Sequence, residues 1–180
     1  AVSLLQALQT ANRLPKNYYI LDVSAECKQR QQEKIQAEIP ELLPLVKWLD
    51  RLPETPIQGI ILANEVLDAM PVHKFQLSNH KINEFYVNHR DQKLKWEILP
   101  SSNQALLNAV EHLEIKSSDA YESEINLVVS AWITGLSNSL KKGCILLIDY
   151  GFPRKEYYFP ERHMGTLMCH YQHHAHTDPL

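Results

Sequence analysis

The stretch IQGIILANE, residues 57–65, decides the fold class. From Ile57 to Ala63 it is apolar at both odd and even positions, which is typical of a central parallel strand buried on both faces. A second run of this kind, CILLI, spans residues 144–148 and follows Gly143. Because parallel strands are joined by helical crossovers, these runs predict an α/β fold built on a parallel sheet.

The rest of the chain supplies the strands and helices that such a fold needs. Residues 18–23 and 46–49 are short apolar runs that predict two more strands. The predicted helices are residues 2–13; a polar helix that Ser24 caps and that reaches about Glu38; residues 105–113, with Ser101 and Gln104 as a capping box; and residues 122–140. In the last helix an apolar stripe is expected to be core: Ile125, Val128, Val129, Trp132, Ile133, Leu136 and Leu140.

Residues 73–100 break the parallel pattern. Within them, residues 74–77, 81–87 and 93–99 alternate apolar and polar side chains. This pattern predicts an inserted antiparallel β-hairpin arm with one wet face. The arm carries four aromatic residues, Phe75, Phe85, Tyr86 and Trp96. These fit an ordinary sheet edge, or alternatively a clamp for a protein substrate or a homodimer contact. Since no linker stands out, we expect one domain over residues 1–180.

Composition and charge exclude several classes of protein. The 18 Lys and Arg against 21 Asp and Glu give a net charge of −3 without any basic run, so a nucleic-acid surface is not favoured. The longest apolar run is far shorter than the ~20 residues of a membrane span, and no secretory signal is visible. Three cysteines, Cys27, Cys144 and Cys169, indicate a reducing compartment rather than a disulfide framework.

Each predicted strand is followed by polar side chains, most of them acidic. Because ligands bind beyond the carboxyl ends of the strands in open α/β sheets, these side chains predict an acidic rim around a shared crevice. Such a rim suits a ligand with hydroxyls, an amine or a guanidinium and repels phosphates. The alternative is that the side chains cap the following helices. The residues are Asp22; Asp50 and Arg51; Asn64, Glu65 and Asp68; and Asp149 and Tyr150.

The segment NEVLDAMP, residues 64–71, carries the sharpest of these signals. Asp68 lies three residues beyond Glu65 and shares its face if a helical turn follows. Two carboxylates on one face can hold a planar guanidinium bidentately or share a proton. The alternative is that Asn64 caps a short helix and that the acids are solvated.

Two clusters of residues near the C-terminal end indicate a function less specifically. The residues Cys169, His170, His173, His174 and His176 lie close together, but their spacing does not match two separated pairs of zinc ligands. We therefore predict no metal site. Tyr157 and Tyr158 fit either packing or a recognition surface.

Three separated segments resemble the MidA family in the same order and spacing. They are YILDVSAECKQRQ (19–31), GIILANEVLDAMPVHKF (59–75) and GCILLIDYGFPRKEYYFPERHMGTLMCHYQHHAHTDP (143–179). The resemblance implies a Rossmann-like class I methyltransferase fold with S-adenosyl-L-methionine as cofactor. Mitochondrial members of the family methylate protein arginine and are needed for assembly of respiratory complex I, so the resemblance implies methyl transfer to a protein arginine.

The resemblance also implies roles for individual residues. Asp22 takes the position that holds the ribose hydroxyls of the cofactor, and Asp50 and Arg51 take the position that contacts adenine. Asn64 and Glu65 match the Asn-Glu pair of the family beside the transferred methyl group. Glu65 is thus the first catalytic candidate and Asp68 the second. The tail motif, expected on the substrate side, is matched by Asp149, Tyr150, Arg162, Gly165 and Thr166.

The chain departs from the family at its start. Family members carry a Gly-rich loop after their first strand, whereas the 5 glycines of this chain never form a GxG cradle. We therefore expect an internal piece of a longer enzyme that lacks the first strand and the Gly-rich loop and binds the cofactor poorly by itself.

Two other functions stay open at this point. One is a non-catalytic assembly factor that keeps the methyltransferase fold. The other is methyl transfer to a small molecule or to RNA, although the acidic rim disfavours RNA. The expected compartment is a bacterial cytoplasm, with the mitochondrial matrix as the alternative.

Overall fold

The computed structural model describes residues 1–115, 120–171 and 174–180 of the chain, and its fold is mixed α/β, as the sequence predicts. The helices are α1 (Val2–Thr10), α2 (Ala25–Glu38), α3 (Gln104–Glu111), α4 (Val129–Asn138) and α5 (Arg154–Tyr157), and Pro40–Leu45 is a 3₁₀ helix. The strands are β1 (Tyr18–Leu21), β2 (Val46–Leu49), β3 (Ile57–Asn64), β4 (His73–Ser78), β5 (Lys81–Arg90), β6 (Lys93–Pro100), β7 (Tyr121–Ile125), β8 (Leu140–Ile148), β9 (Cys169–Tyr171) and β10 (His174–His176).

The chain divides into two compact units. The first comprises Ala1–Gly59 and Gly135–Cys144, and the second comprises Ile60–Thr134 and Ile145–Leu180. In the ranges that the structure describes, no helix is both long and apolar enough to span a bilayer.

In the first unit, β1 and β2 pair in parallel, from Tyr18 opposite Val46 to Leu21 opposite Leu49. The two predicted strands are therefore confirmed, although β1 ends two residues earlier than expected. A small apolar core packs beside them and includes Leu5, Ile35 and Ile39.

The beginning of α2 is fixed by its cap. The Ser24 hydroxyl accepts a hydrogen bond from the Cys27 amide (3.1 Å), which confirms the N-cap that the sequence predicts. The helix ends at Glu38, before Pro40, also as predicted.

The second unit contains a four-stranded antiparallel sheet in the order β6-β5-β4-β7. Strands β4, β5 and β6 confirm the antiparallel strands predicted within residues 73–100. The residue pairs at the two strand connections have φ of 50° to 60°, the left-handed conformation that tight two-residue hairpin turns require. These pairs are Asn79 and His80, and Asp91 and Gln92.

The predicted helix over residues 122–140 is wrong in its first part. Tyr121–Ile125 is strand β7, which pairs with β4, and α4 begins only at Val129. Tyr121, Ser123 and Glu124 are all buried, and the segment is held as a strand by its pairing with β4. The sequence did not show this, because the apolar spacing of the following residues is typical of a helix.

The apolar stripe of the predicted helix is only partly buried. Leu136 is buried, whereas Val128 is 49% exposed and Ile133 is 40% exposed. The Asn126 side chain accepts hydrogen bonds from the amides of Val128 (2.8 Å) and Val129 (2.9 Å), and these bonds set the beginning of the helix.

The predicted capping box of α3 is also wrong. Asn103, not Ser101, caps the helix, because its side-chain oxygen accepts from the amides of Ala105 (3.1 Å) and Leu106 (3.3 Å). The Ser101 hydroxyl instead donates to the Glu84 carboxylate (2.8 Å).

Strands β3 and β8 pair with each other. The Ile57 amide donates to the Ser139 carbonyl (2.9 Å) and the Glu65 amide donates to the Ile148 carbonyl (2.8 Å). Because both bonds join residues at nearly the same separation along the chain, the strands run parallel. Gly143 is needed for this pairing, since a Cβ there would lie 1.7 Å from the Gly59 carbonyl oxygen.

The expectation that these strands are buried on both faces is wrong for the described part of the chain. Ile60 is 71% exposed, and Leu146 and Ile148 are each 49% exposed. The physical reason is that β3 and β8 form a sheet of two strands, which leaves these side chains uncovered. An apolar run indicates that a strand can be buried but not which segment covers it.

A buried carboxylate joins β5 to β4 and to the segment before α3. The Glu84 carboxylate accepts from His73 Nδ1 (2.7 Å) and from the hydroxyls of Tyr86 (2.8 Å) and Ser101 (2.8 Å). Burial by itself raises the pKa of the Glu84 carboxyl, but the hydrogen bonds outweigh it and hold the pKa below its usual value. The ionised form is therefore favoured in the folded state.

Replacement of Glu84 by Gln is expected to lower the free energy of unfolding by about 1–3 kcal/mol, because an amide cannot accept all three hydrogen bonds. A carboxyl whose pKa is lowered on folding stabilises the protein above its unfolded pKa, and this contribution is lost as the pH falls through the folded value. Urea unfolding at a series of pH values should show stability falling below pH 4.5, the usual value for this carboxyl, and Glu84→Gln should weaken that dependence.

Glu97→Gln is the matched control in the same sheet. Glu97 accepts from Arg90 (2.7 Å) and from Asn88 (2.7 Å), but the Glu97 side chain is 32% exposed and that of Arg90 62% exposed, so replacing Glu97 should cost less than about 1 kcal/mol. Equal losses for the two variants would contradict the structural role of Glu84.

Candidate functional site

The carboxyl ends of β3 and β8 lie side by side in the second unit. Since the Glu65 amide donates to the Ile148 carbonyl, Asn64 and Glu65 at the end of β3 lie beside Asp149 and Tyr150 after β8. The structure therefore brings together four of the residues that the sequence predicts for the site.

The Asp149 carboxylate organises the segment that follows β3. Its Oδ2 accepts from the amides of Leu67 (2.8 Å) and Asp68 (3.3 Å), and its Oδ1 accepts from the amide of Tyr150 (2.9 Å). A carboxylate that binds several backbone amides fixes the loop around it. Asp149 thus holds the loop that presents Glu65 and Asp68.

The loop is a turn and not the helical turn considered from the sequence. Glu65 has a φ of +50°, which is uncommon for a residue other than glycine, and the turn closes with a bond from the Met70 amide to the Leu67 carbonyl (3.2 Å). Because no helix follows β3 here, Asn64 does not cap one. The positive φ turns the chain sharply at the end of the strand.

Tyr150 joins the two carboxylate-bearing segments. Its hydroxyl donates to Asp68 Oδ2 (2.6 Å). This hydrogen bond, and then the negative charges of Asp68, Glu65 and Asp149, raises the pKa of Tyr150 above its usual value. We call Glu65, Asp68, Asp149 and Tyr150 the acidic cluster.

The acidic cluster is open to solvent, since Tyr150 is 67% exposed. It offers carboxylate oxygens and a phenol. Among the residues that the structure describes, no cationic side chain forms an ion pair with Glu65 or Asp68. Its chemistry suits a cation with several N–H donors, and it disfavours phosphate.

In the first unit, an open cavity of about 620 Å³ lies beside the ends of β1 and β2. Tyr19, Trp48 and Leu52 supply its apolar walls, and Asp50 and Arg51 lie on its lining, as their predicted position after β2 requires. The cavity is open and its lining mixes these apolar side chains with charged and polar ones, among them Glu54 and Thr55.

Asp50 and Arg51 already have partners in the protein. Lys28 of α2 forms an ion pair with Asp50, and this hydrogen bond lowers the pKa of the Asp50 carboxyl. Arg51 pairs with Glu54 (2.8 Å), and both side chains are largely exposed. Lys28 was not anticipated from the sequence, because its partner lies 22 residues away.

Asp22 lies directly after β1 and is half-buried. Its Oδ1 accepts from the Ser24 amide (2.9 Å) and its Oδ2 accepts from Gln31 Nε2 (2.7 Å). The carboxylate is therefore held in one orientation at the end of the strand. Asp22, Asp50 and Arg51 belong to the first unit, and the other predicted site residues belong to the second.

In the second unit, Thr166 of the tail motif is hydrogen-bonded to Glu124 of β7, and Gly165 lies close against the same carboxylate. The Glu124 side chain is buried and accepts from the amides of Thr166 (2.8 Å) and Leu167 (3.3 Å). Gly165 has a φ of +77°, and a Cβ there would lie 2.2 Å from Glu124 Oε1. The role of Glu124 was not predicted, because this residue falls within the helix predicted over residues 122–140.

The rest of the tail motif packs against the same region. The Arg162 guanidinium lies 4.0 Å from the centre of the Phe152 ring and its Nε donates to the Glu156 carbonyl (3.1 Å). Tyr157 and Tyr158 stack edge to face at 4.8 Å, and burial raises the pKa of Tyr158 to about 12. For this pair the structure favours packing over a recognition surface.

The cluster of histidines gives no metal site in the described residues. Cys169, His170, His174 and His176 lie in the β9–β10 hairpin, and His173 lies outside the described residues. Across residues 1–115, 120–171 and 174–180, no three His, Cys, Asp or Glu side chains come together as metal ligands.

Comparison with known proteins gives a match over the whole chain. A protein-family model described as "Putative S-adenosyl-L-methionine-dependent methyltransferase" matches residues 1–180. A crystal structure of a superfamily member from Burkholderia thailandensis, described as a "likely methyl transferase" and bound to S-adenosyl-homocysteine, is 37% identical with a TM-score of 0.88. A native crystal structure from the same organism and superfamily gives the same identity and TM-score.

The chain spans less than half the length of these relatives. In each comparison 98% of this chain is covered, against 45% of the structure bound to S-adenosyl-homocysteine and 46% of the native structure.

Gly165→Ala is expected to destabilise the protein by roughly 2–4 kcal/mol, because the new Cβ both strains a left-handed backbone and overlaps the Glu124 carboxylate. The measurement is urea unfolding of the variant and the native protein, monitored by tryptophan fluorescence.

A double-mutant cycle separates the two causes. Glu124→Ala removes the carboxylate, so in that background Gly165→Ala should cost at least about 1 kcal/mol less than in the native background. Additive losses would show that the Glu124 carboxylate does not set the requirement for glycine at this position.

Proposed function

The chain belongs to this S-adenosyl-L-methionine-dependent methyltransferase family, and we propose that its activity is the transfer of a methyl group to a protein arginine. The methyltransferase class and the cofactor follow from the family. Assignment to its MidA-type members, and arginine as the acceptor, rest on the resemblance of three sequence segments and on the chemistry of the acidic cluster.

The residues of the first unit fit the cofactor. S-adenosyl-L-methionine, when bound, supplies an activated methyl group. Asp22 would hold the ribose hydroxyls, because its carboxylate is fixed by two hydrogen bonds and keeps free lone pairs to accept more. The cavity beside Trp48, Asp50 and Arg51 supports this proposal, because it offers an aromatic side chain and polar groups that an adenine could contact.

The acidic cluster is the observation that supports arginine. A guanidinium has a pKa above ~12 and no free lone pair, so methylation of its nitrogen needs groups that orient it and accept the proton it loses as the new N–C bond forms. Two carboxylates on one turn, Glu65 and Asp68, can accept from its planar array of N–H donors. A lysine ammonium would not use such a planar arrangement, and a phosphate-rich substrate would be repelled.

The proposed roles differ within the acidic cluster. Glu65 lies at the end of β3 without a described side-chain partner, so it is the residue proposed to orient the guanidinium and accept its proton. Asp68 accepts a hydrogen bond from the Tyr150 hydroxyl and is proposed to bind the second edge of the guanidinium. Asn64 would then lie beside the transferred methyl group, and Asp149 would position the turn.

The proposal also covers the binding partners and the cellular compartment. Arg162, Gly165 and Thr166 are proposed to face the protein substrate. The antiparallel arm exposes apolar side chains, among them Val87 at 52% and Leu94 at 53%, which supports a contact with a substrate or a second copy. A bacterial cytoplasm, or alternatively a mitochondrial matrix, remains the proposed compartment.

Glu65→Gln is expected to abolish turnover while it leaves cofactor affinity within about threefold, since the change removes the proton acceptor and nothing that the first unit contributes. Turnover should fall by about 100-fold or more, measured as methyl transfer to an arginine-containing protein by mass spectrometry. Affinity for S-adenosyl-homocysteine is measured by calorimetry on the same samples.

Glu111→Gln, an exposed change at the end of α3, is the control and should leave both quantities unchanged. Methylation of lysine instead of arginine, or unaltered turnover in Glu65→Gln, would overturn the assigned chemistry. Cofactor binding without any transfer to protein would favour the assembly-factor alternative.

A further inference from the structure

Gln31 of α2 bridges Asp22 and Trp48. In the proposed function, Asp22 binds the ribose of the cofactor and Trp48 lines the cavity for its adenine. Gln31 Nε2 donates to Asp22 Oδ2 (2.7 Å), and Gln31 Oε1 accepts from the Trp48 indole N–H (3.1 Å). All three side chains are half-buried. The bridge therefore connects the end of β1 with the wall of the cavity beside β2.

The orientation of this amide is forced by chemistry. An indole N–H can only donate, and an ionised carboxylate can only accept. The amide oxygen of Gln31 must face Trp48 and its NH₂ group must face Asp22, because the reverse orientation would break both hydrogen bonds. Trp48 thus selects the amide orientation that leaves Asp22 with a donor.

Asp22 in turn depends on this donor. Oδ1 is held by the Ser24 amide and Oδ2 by Gln31, so each oxygen carries one fixed hydrogen bond and keeps capacity for another. Without Gln31, the carboxylate keeps only its bond to the turn and can rotate. A fixed carboxylate accepts two adjacent hydroxyls at a lower entropy cost than a mobile one.

From this geometry we infer that Gln31 is a positioning residue for the cofactor: oriented by Trp48, it sets the Asp22 carboxylate for the ribose diol. The inference rests on the proposed role of Asp22 and adds a residue that does not itself touch the cofactor. It also makes Trp48 serve twice, as the wall of the adenine cavity and as the group that orients Gln31.

The test is the affinity of the native protein for S-adenosyl-homocysteine, measured by calorimetry. Gln31→Leu removes the donor, and binding should weaken roughly 3- to 10-fold, the usual effect of one hydrogen bond. Gln31→Glu keeps the acceptor for Trp48 but places a carboxylate against Asp22, so it should weaken binding at least as much. Thermal unfolding of each variant establishes that it is folded.

Gln29→Leu is the matched control. Gln29 lies on the same helix, is exposed, and donates to Glu33 (2.9 Å) instead of Asp22. Its replacement should leave the affinity unchanged. An equal loss for Gln29→Leu would overturn the inference, because the effect would then belong to the helix and not to the bridge.

A double-mutant cycle with Asp22→Asn and a ligand without the ribose hydroxyls completes the test. If Gln31 acts through Asp22, Gln31→Leu should cost little further affinity in the Asp22→Asn background, and little for the 2′,3′-dideoxyribose analogue of S-adenosyl-homocysteine. Full loss in either case overturns the role of Gln31. If Asp22→Asn weakens binding but Gln31→Leu does not, only the bridge is wrong; if Asp22→Asn has no effect, the proposed ribose contact fails as well.

Discussion

The candidate site of the second unit depends on the parallel pairing of β3 and β8. That pairing brings the end of one strand, with Asn64 and Glu65, beside the end of the other, with Asp149 and Tyr150. The Asp149 carboxylate then binds the amides of the turn after β3, so a charge from one strand fixes the loop of the other. Without this pairing, Asp68 would not meet Tyr150, and the acidic cluster would not form.

Carboxylates with several donors recur as the fixed points of the structure. Glu84 accepts three side-chain hydrogen bonds, Glu124 accepts two backbone amides and Asp149 accepts three. Asp22 is held from both sides in the same manner. A carboxylate that is fully bonded stabilises its surroundings, whereas Glu65 has no described side-chain donor. That difference separates the structural acids from the one proposed to act on a substrate.

The sequence predicted those parts of the molecule that depend on local chemistry. Ser24 caps α2 and the alternating segments form β4, β5 and β6 because capping and period-2 burial involve neighbouring residues. It failed where contacts between distant residues decide, as in the pairing of β7 with β4 across roughly fifty residues. Glu124 and Lys28 likewise gain their roles from partners 42 and 22 residues away, and Gln31 is oriented by Trp48, 17 residues away. The predicted burial of β3 and β8 on both faces was wrong for a related reason, since an apolar pattern does not identify the segment that covers it.

The proposed function requires that the acidic cluster bind a guanidinium. The most direct measurement is a crystal structure of the native protein with S-adenosyl-homocysteine and an arginine-containing peptide. We expect the guanidinium to lie within about 3 Å of the carboxylates of Glu65 and Asp68, the distance of a charge-assisted hydrogen bond. An arginine bound away from both carboxylates, with the acidic cluster in contact with solvent alone, would contradict it.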